Sequence, residues 1–171
     1  TPTPAERQKV AQALEELGSR RDRIVAIHPG GGVNPGTRLP SKRWRPEGFA
    51  AIADRLSAEG YQVALGGGPM DADTLAAVRA ALRGPVADFA GRFSFGELGA
   101  LFERCRLFVG NDTGAMHLAG AVGTPVVALF GPSDYRVYGP FGPDGIAVHS
   151  SAQCSPCFSR GSCIPISSPF T

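Results

Sequence analysis

The chain has 171 residues, a formal net charge of +2, 43% hydrophobic and 19% charged residues. This is enough for one domain with its own core. It is too apolar for a disordered chain and too nearly neutral to suggest a general nucleic-acid or acidic-membrane surface. Glycine (23) and proline (15) are nearly twice as frequent as usual. No Gly-X-Y period accompanies them, so they read as punctuation of a folded domain, clustered at Gly30–Gly32 and Gly66–Gly68.

In chain order, Pro4–Leu17 reads as a helix, with Val10, Leu14 and Leu17 on one face. Arg23–His28 is the first strand, and a Gly/Pro-rich loop, Pro29–Pro40, follows it. Pro46–Glu59 is a helix, Tyr61–Leu65 a strand, Asp71–Leu82 a helix and Val86–Phe89 a short strand. Ser94–Glu103 is a helix announced by Ser94 and Glu97 as a capping box. Arg106–Val109 is an apolar strand, after which Asn111-Asp112-Thr113 opens a helix reaching about Val122. Thr124–Phe130 and Ile146–His149 are further strands, and Ser150–Thr171 is irregular. Short apolar runs alternating with amphipathic helices define an α/β domain, a Rossmann-like parallel sheet with flanking helices. The expected division is a leading helix and linker over 1–22, the sheet domain over 23–150, and a Cys-rich tail over 151–171. No apolar run approaches the roughly 18–20 residues of a membrane span. Thr1–Lys9 lacks the apolar stretch of a signal peptide. Without an initiator Met, the chain is expected to be a fragment of something longer.

In open α/β sheets, ligands bind beyond the carboxyl ends of the strands. Four segments fall there: Pro29–Pro40, Gly66–Asp71, Gly110–Gly114 and Gly131–Asp134. Gly30, Gly31 and Gly32 suit close backbone approach to a phosphate, although a plain turn is an equal reading. They match neither the dinucleotide fingerprint nor the P-loop. Lys42 lies in a basic cluster with Arg38, Arg43 and Arg45, where a lysine can meet a diphosphate as a point charge. Trp44 within that cluster reads as a packing anchor. Asp112 or Thr113 could cap a helix whose N-terminus favours an anion. His117, one turn further on, reads equally as a packing residue. Cys154, Cys157 and Cys163 could hold zinc with a fourth ligand such as His149, or serve as a reduced structural cluster. Cys105 belongs to the core.

Taken together, these segments resemble the glycosyltransferase family 9 heptosyltransferases. The resemblance is carried by His28-Pro29-Gly30, Lys42-Arg43-Trp44, Gly66-Gly67-Gly68-Pro69, Gly91 with Ser94–Leu98, Asn111-Asp112-Thr113-Gly114-Ala115-Met116-His117-Leu118, Ala128–Ser133 and the cysteines of the tail. It implies the C-terminal, donor-binding half of a GT-B glycosyltransferase acting in lipopolysaccharide biosynthesis, with ADP-heptose as donor and no cofactor or metal. Lys42, Asp112 and His117 would form the catalytic group. Gly30, Gly31, Gly32, Asp71, Thr113, Gly114 and Met116 would bind the donor. Asp71 stands in for the family's ribose-holding Glu. The family's N-terminal half, carrying the lipopolysaccharide core acceptor site and an Asp base, is missing from this chain, which on its own is expected to be inactive. A fourth tail cysteine is replaced by Ile164–Thr171. The implied location is the cytoplasm, with peripheral association of the full enzyme at the inner membrane. Two other classes stay open: a dinucleotide-dependent oxidoreductase domain and a zinc-stabilised interaction module.

Overall fold

The computed structural model describes residues 1–16, 23–34, 37–151 and 155–157, without the side chains of 34, 37 and 38. Six strands form one fully parallel sheet: β1 (Ile24–His28), β4 (Gln62–Leu65), β5 (Ala87–Asp88), β6 (Leu107–Asn111), β7 (Val126–Phe130) and β8 (Gly145–His149). A small antiparallel hairpin, β2 (Val33–Asn34) and β3 (Thr37–Arg38), rises from the loop after β1. The sheet order is β5-β4-β1-β6-β7-β8. Counting only the strands of this sheet, that is the doubly wound 3-2-1-4-5-6 order. The chain runs outward from β1 in one direction, then returns to its other side at β6. The crevice between the carboxyl ends of β1 and β6 is therefore the topological switch point.

Alternation within the strands sorts their side chains to two faces. Ile24, Ala26, Phe108, Val126 and Ala128 pack on α1 (Pro4–Glu15), α4 (Phe95–Phe102) and α5 (Gly114–Ala121). Val25, Ile27, Val63, Leu65 and Val109 pack on α2 (Pro46–Ala58) and α3 (Ala72–Ala81). Helix α1 is part of the first layer: Val10 and Leu14 are buried there, and Arg7 and Lys9 pair with Glu103 and Glu97 of the α4 region. Cys105 is buried in the same layer, its thiol donating to the Leu101 carbonyl at 3.2 Å, and burial pushes that thiol up to about 12. Between β7 and β8 the crossover is a four-residue helix, α6 (Tyr135–Tyr138), followed by an extended loop. This is too short to cover the outer strand, so Ile146 and Val148 stay exposed.

The expected capping box is present. Ser94 Oγ accepts from the Glu97 N–H at 3.3 Å, and the Glu97 carboxylate accepts from the Ser94 N–H at 2.7 Å. A Ser94→Ala variant is expected to lose about 1 kcal/mol, read as a lower urea midpoint at unchanged slope. One boundary differs from expectation. Asn111 ends β6, paired to Leu129 of β7, instead of opening the next helix. Helix α5 begins at Gly114 with Thr113 as its cap, because the Thr113 hydroxyl accepts from the Met116 N–H at 3.4 Å.

Candidate functional site

The chain reaches the switch point through glycines that leave no room for a side chain. A Cβ on Gly30 would collide with the Asp71 carboxylate. Gly32 has φ +68, which other residues rarely adopt, and a Cβ there would strike the Leu39 carbonyl. The loop is held by side chains from two other segments. Asp71 takes the Gly31 N–H on Oδ1 and the Gly68 N–H on Oδ2, both at 3.0 Å, so one carboxylate staples the two glycine loops. Asn111, fully buried at the end of β6, donates from Nδ2 to the carbonyls of Pro29 (2.8 Å) and Gly30 (3.0 Å) and accepts from the Trp44 N–H (3.0 Å) on Oδ1. Only one orientation of the amide satisfies all three bonds.

Beside this clamp, Lys42 and Asp112 meet, with Nζ 2.6 Å from Oδ2 and side-chain exposures of 23% and 8%. The contact is an ion pair without the alignment of a hydrogen bond, since Oδ2 is buried and has no hydrogen-bond partner among the described residues. Lys42 arrives on the short turn Pro40–Lys42, whose Ser41 carbonyl lies where a Cβ on Gly131 would need to be, 2.6 Å away. A Cβ on Gly31 would come within 2.5 Å of the Thr113 methyl, so the glycine loop abuts the first residue before α5. The open side of Gly114 faces no atom within 4 Å. With Thr113 capping Met116, the N–H groups of Gly114 and Ala115 are left without intrahelical partners. A cation, a helix N-terminus and a glycine loop thus share one crevice, a combination whose chemistry suits an anion.

Gly30, Gly31, Gly32, Lys42, Asp71, Asp112, Thr113 and Gly114 therefore come together as expected from their places in the chain. Met116 follows them in the chain, but its side chain turns away from the crevice and is fully buried in the α1/α4/α5 layer. Its position two residues into a helix that covers the sheet turns that side chain inward. His117 is half-buried. Its ring lies 5.4 Å from that of Phe141, and its Nδ1 is buried without a hydrogen-bond partner among the described residues. Trp44 packs edge-on against Phe49 at 5.2 Å, the anchor role expected of it. Cys154 and Cys163 lie outside the described residues. His149 is exposed and stacks on Tyr135, ring centroids 4.0 Å apart.

Three residues of the crevice were not singled out by sequence reasoning. Asn111 carries the clamp, Arg43 bonds the Gly31 carbonyl at 2.6 Å, and His28 ends β1. Asn111, Arg43 and His28 each stand inside a motif of the chain, but nothing in a linear chain shows which side chains turn inward. His28 is buried and its Nδ1 has no hydrogen-bond partner among the described residues. Burial pushes the imidazole below its ordinary value of 6.5, and the Asp71 charge opposes this only in part. The folded protein therefore holds His28 neutral while the unfolded chain takes up a proton. Stability is expected to fall as pH drops below about 6.5, down to the lowered folded value. His28→Asn should flatten that limb of a plot of urea midpoint against pH. An unchanged limb would show that His28 does not set it.

Two hollows flank Arg43. One of about 170 Å³ opens toward β7 and β8 between Trp44, Leu129, Gly131, Val148 and His149. The other, about 330 Å³ and wider, lies between Val33, Met70 and Asp73. The helix that follows β1 does not start until Pro46, after a hairpin and a turn. The helix N-terminus at the crevice is that of α5, following β6. A dinucleotide fingerprint needs the helix directly after β1 to meet the pyrophosphate, so this geometry argues against that class.

A family model described as glycosyltransferase family 9 (heptosyltransferase) matches residues 2–165. The chain is 36% identical over 142 residues to lipopolysaccharide heptosyltransferase 3 of Escherichia coli, covering 81% of this chain and 39% of that protein. Among solved structures, a family 9 glycosyl transferase from Veillonella parvula DSM 2008 superposes with a TM-score of 0.81 at 30% identity, covering 94% of this chain and 46% of that one. The E. coli ADP-heptose lps heptosyltransferase II gives 0.67 at 27% identity, with 91% and 46% covered. The chain spans about two fifths of the length of the curated relatives it matches.

Proposed function

The chain belongs to glycosyltransferase family 9, the heptosyltransferases, and we propose that it is the donor-binding part of such an enzyme, holding ADP-heptose at the β1–β6 crevice for transfer to the lipopolysaccharide inner core. The observation that carries this reading is the convergence of Lys42, Asp112 and the open N-terminus of α5 at the switch point. In the transfer an acceptor hydroxyl attacks the anomeric carbon, the bond to the diphosphate breaks, and negative charge collects on the departing ADP. Groups aimed at that charge stabilise the transition state more than the bound donor. Lys42 and the Gly114 and Ala115 N–H groups are the donors in place for it. Asp112 holds Lys42 and offers its second oxygen to sugar hydroxyls. Asp71 acts through the two loops it staples. His117 backs the helix that carries the anion site.

The acceptor and the base that deprotonates it belong, on this reading, to the length of the family that this chain does not span. Binding without turnover is therefore expected of the chain alone. No helix among the described residues is long and apolar enough to cross a membrane. Work at the cytoplasmic face of the inner membrane through peripheral association is part of the same proposal. The test is calorimetry with ADP on the folded chain: measurable binding is expected, and a folded sample that binds none refutes the reading.

A further inference from the structure

Arg43 has no part in the chemistry above, yet it is the most connected side chain at the crevice. It is only 12% exposed. Its Nε donates to the Gly31 carbonyl at 2.6 Å, Nη1 to the Thr74 hydroxyl at 2.7 Å and to Asp73 at 3.3 Å, and Nη2 to the Met70 carbonyl at 3.3 Å. Nη2 also lies 3.6 Å from the Asp71 carboxylate, which itself takes the Gly31 N–H. Gly31 is therefore held at both ends, its N–H by Asp71 and its C=O by Arg43.

That double hold has a consequence for the next amide. In a trans peptide the C=O of one residue and the N–H of the next point in opposite directions. Drawing the Gly31 carbonyl toward Arg43 turns the Gly32 N–H away from the guanidinium. The Gly32 carbonyl is already taken by the Leu39 N–H at 2.6 Å, while the Gly32 N–H has no partner among the described residues. Glycine at Gly31 and Gly32 would otherwise let this peptide flip at little cost. Only a planar group with several donors in a fixed fork can bridge the loop, the Met70 turn and the start of α3 at once.

We propose that Arg43 is a positioning residue that locks the Gly31–Gly32 peptide so that the Gly32 N–H is presented to the diphosphate. The inference rests on the nucleotide-binding reading above. It makes the donor site depend on a side chain that touches no substrate. It also makes that dependence specific to the phosphates, because the loop contributes only backbone donors.

The test is binding of ADP and of adenosine to the full chain and to Arg43→Lys, with the melting temperature of each. A lysine keeps the charge but cannot span the four acceptors. ADP affinity is expected to fall about tenfold, the scale of a charge-assisted hydrogen bond, with adenosine affinity unchanged. A folded Arg43→Lys that binds ADP as the wild type does overturns the proposal, and so do equal losses for both ligands, which mark a merely structural role. Thr74→Val keeps the guanidinium and removes one 2.7 Å anchor, so it decides the matter if Arg43→Lys does not fold. An ADP-selective loss of about threefold supports the lock, and no loss sinks it. A wild-type chain that binds neither ligand refutes the nucleotide reading itself, whereas wild-type binding with an insensitive variant refutes Arg43 alone.

Discussion

Asn111→Asp is expected to destabilise the domain by about 4 kcal/mol at neutral pH, and Asn111→Ala by about 3 kcal/mol. Both remove the clamp at a site with no solvent access. The alanine leaves the Pro29 and Gly30 carbonyls and the Trp44 N–H without a partner. The aspartate is nearly isosteric but worse. It sets an oxygen against two carbonyl oxygens where Nδ2 donates, and it places a carboxylate at a fully buried position. Such a carboxyl has a raised pKa, so its folded form takes a proton more readily than the unfolded chain does. The deficit of Asn111→Asp should therefore shrink as pH falls, whereas that of Asn111→Ala should not follow. Urea unfolding of both variants at neutral and mildly acidic pH measures this. An aspartate variant as stable as the wild type would mean that the clamp contributes nothing.

The Lys42–Asp112 pair should respond unequally to removal of its two members. Lys42→Met leaves a carboxylate at 8% exposure without its cation, and a loss of about 2 kcal/mol is expected. The value is set below that of a fully buried pair because the lysine is itself 23% exposed. Asp112→Asn frees a lysine whose flexible stem can carry the ammonium to solvent, so the stability loss should stay under about 0.5 kcal/mol. Binding should rank differently. Lys42→Met should weaken ADP by at least about tenfold, since a point charge at the diphosphate is gone. Asp112→Asn should weaken ADP-heptose more than ADP, since its spare oxygen is assigned to the sugar. Equal losses for the two ligands would remove Asp112 from the sugar site. In the whole enzyme, Lys42→Met should lower kcat about a hundredfold or more, the scale of losing one group aimed at transition-state charge.

Much of the fold was legible in the chain. The apolar runs at Ile24–Ile27, Val63–Leu65 and Val126–Phe130 are too short and too continuous for helices, and all three proved to be strands of one parallel sheet. The Ser94/Glu97 box and Trp44 as an anchor were read correctly because their partners lie within a few residues. Asn111 was placed at a helix start because Asn-Asp-Thr is a capping sequence. Whether Asp112 or Thr113 caps depends on where β6 stops pairing with β7, and that is a matter of register between distant segments. The Met116 side chain follows the helical period inward to the core, although its motif borders the crevice.

By itself the sequence determined the kind of domain, the edge of the sheet at which the glycine loops meet, and the family, because local propensity, hydrophobic period and short motifs are written residue by residue. The tertiary structure alone decided which side chains build that edge. Asn111 reaches across 82 residues to the Pro29 carbonyl, Lys42 meets Asp112, and Arg43 and Asp71 hold one peptide from both ends. Such pairings depend on strand order, on where each turn stops and on which rotamer fits the space left. Those are properties of the packed chain, in which a buried polar atom must find a partner wherever the fold supplies one.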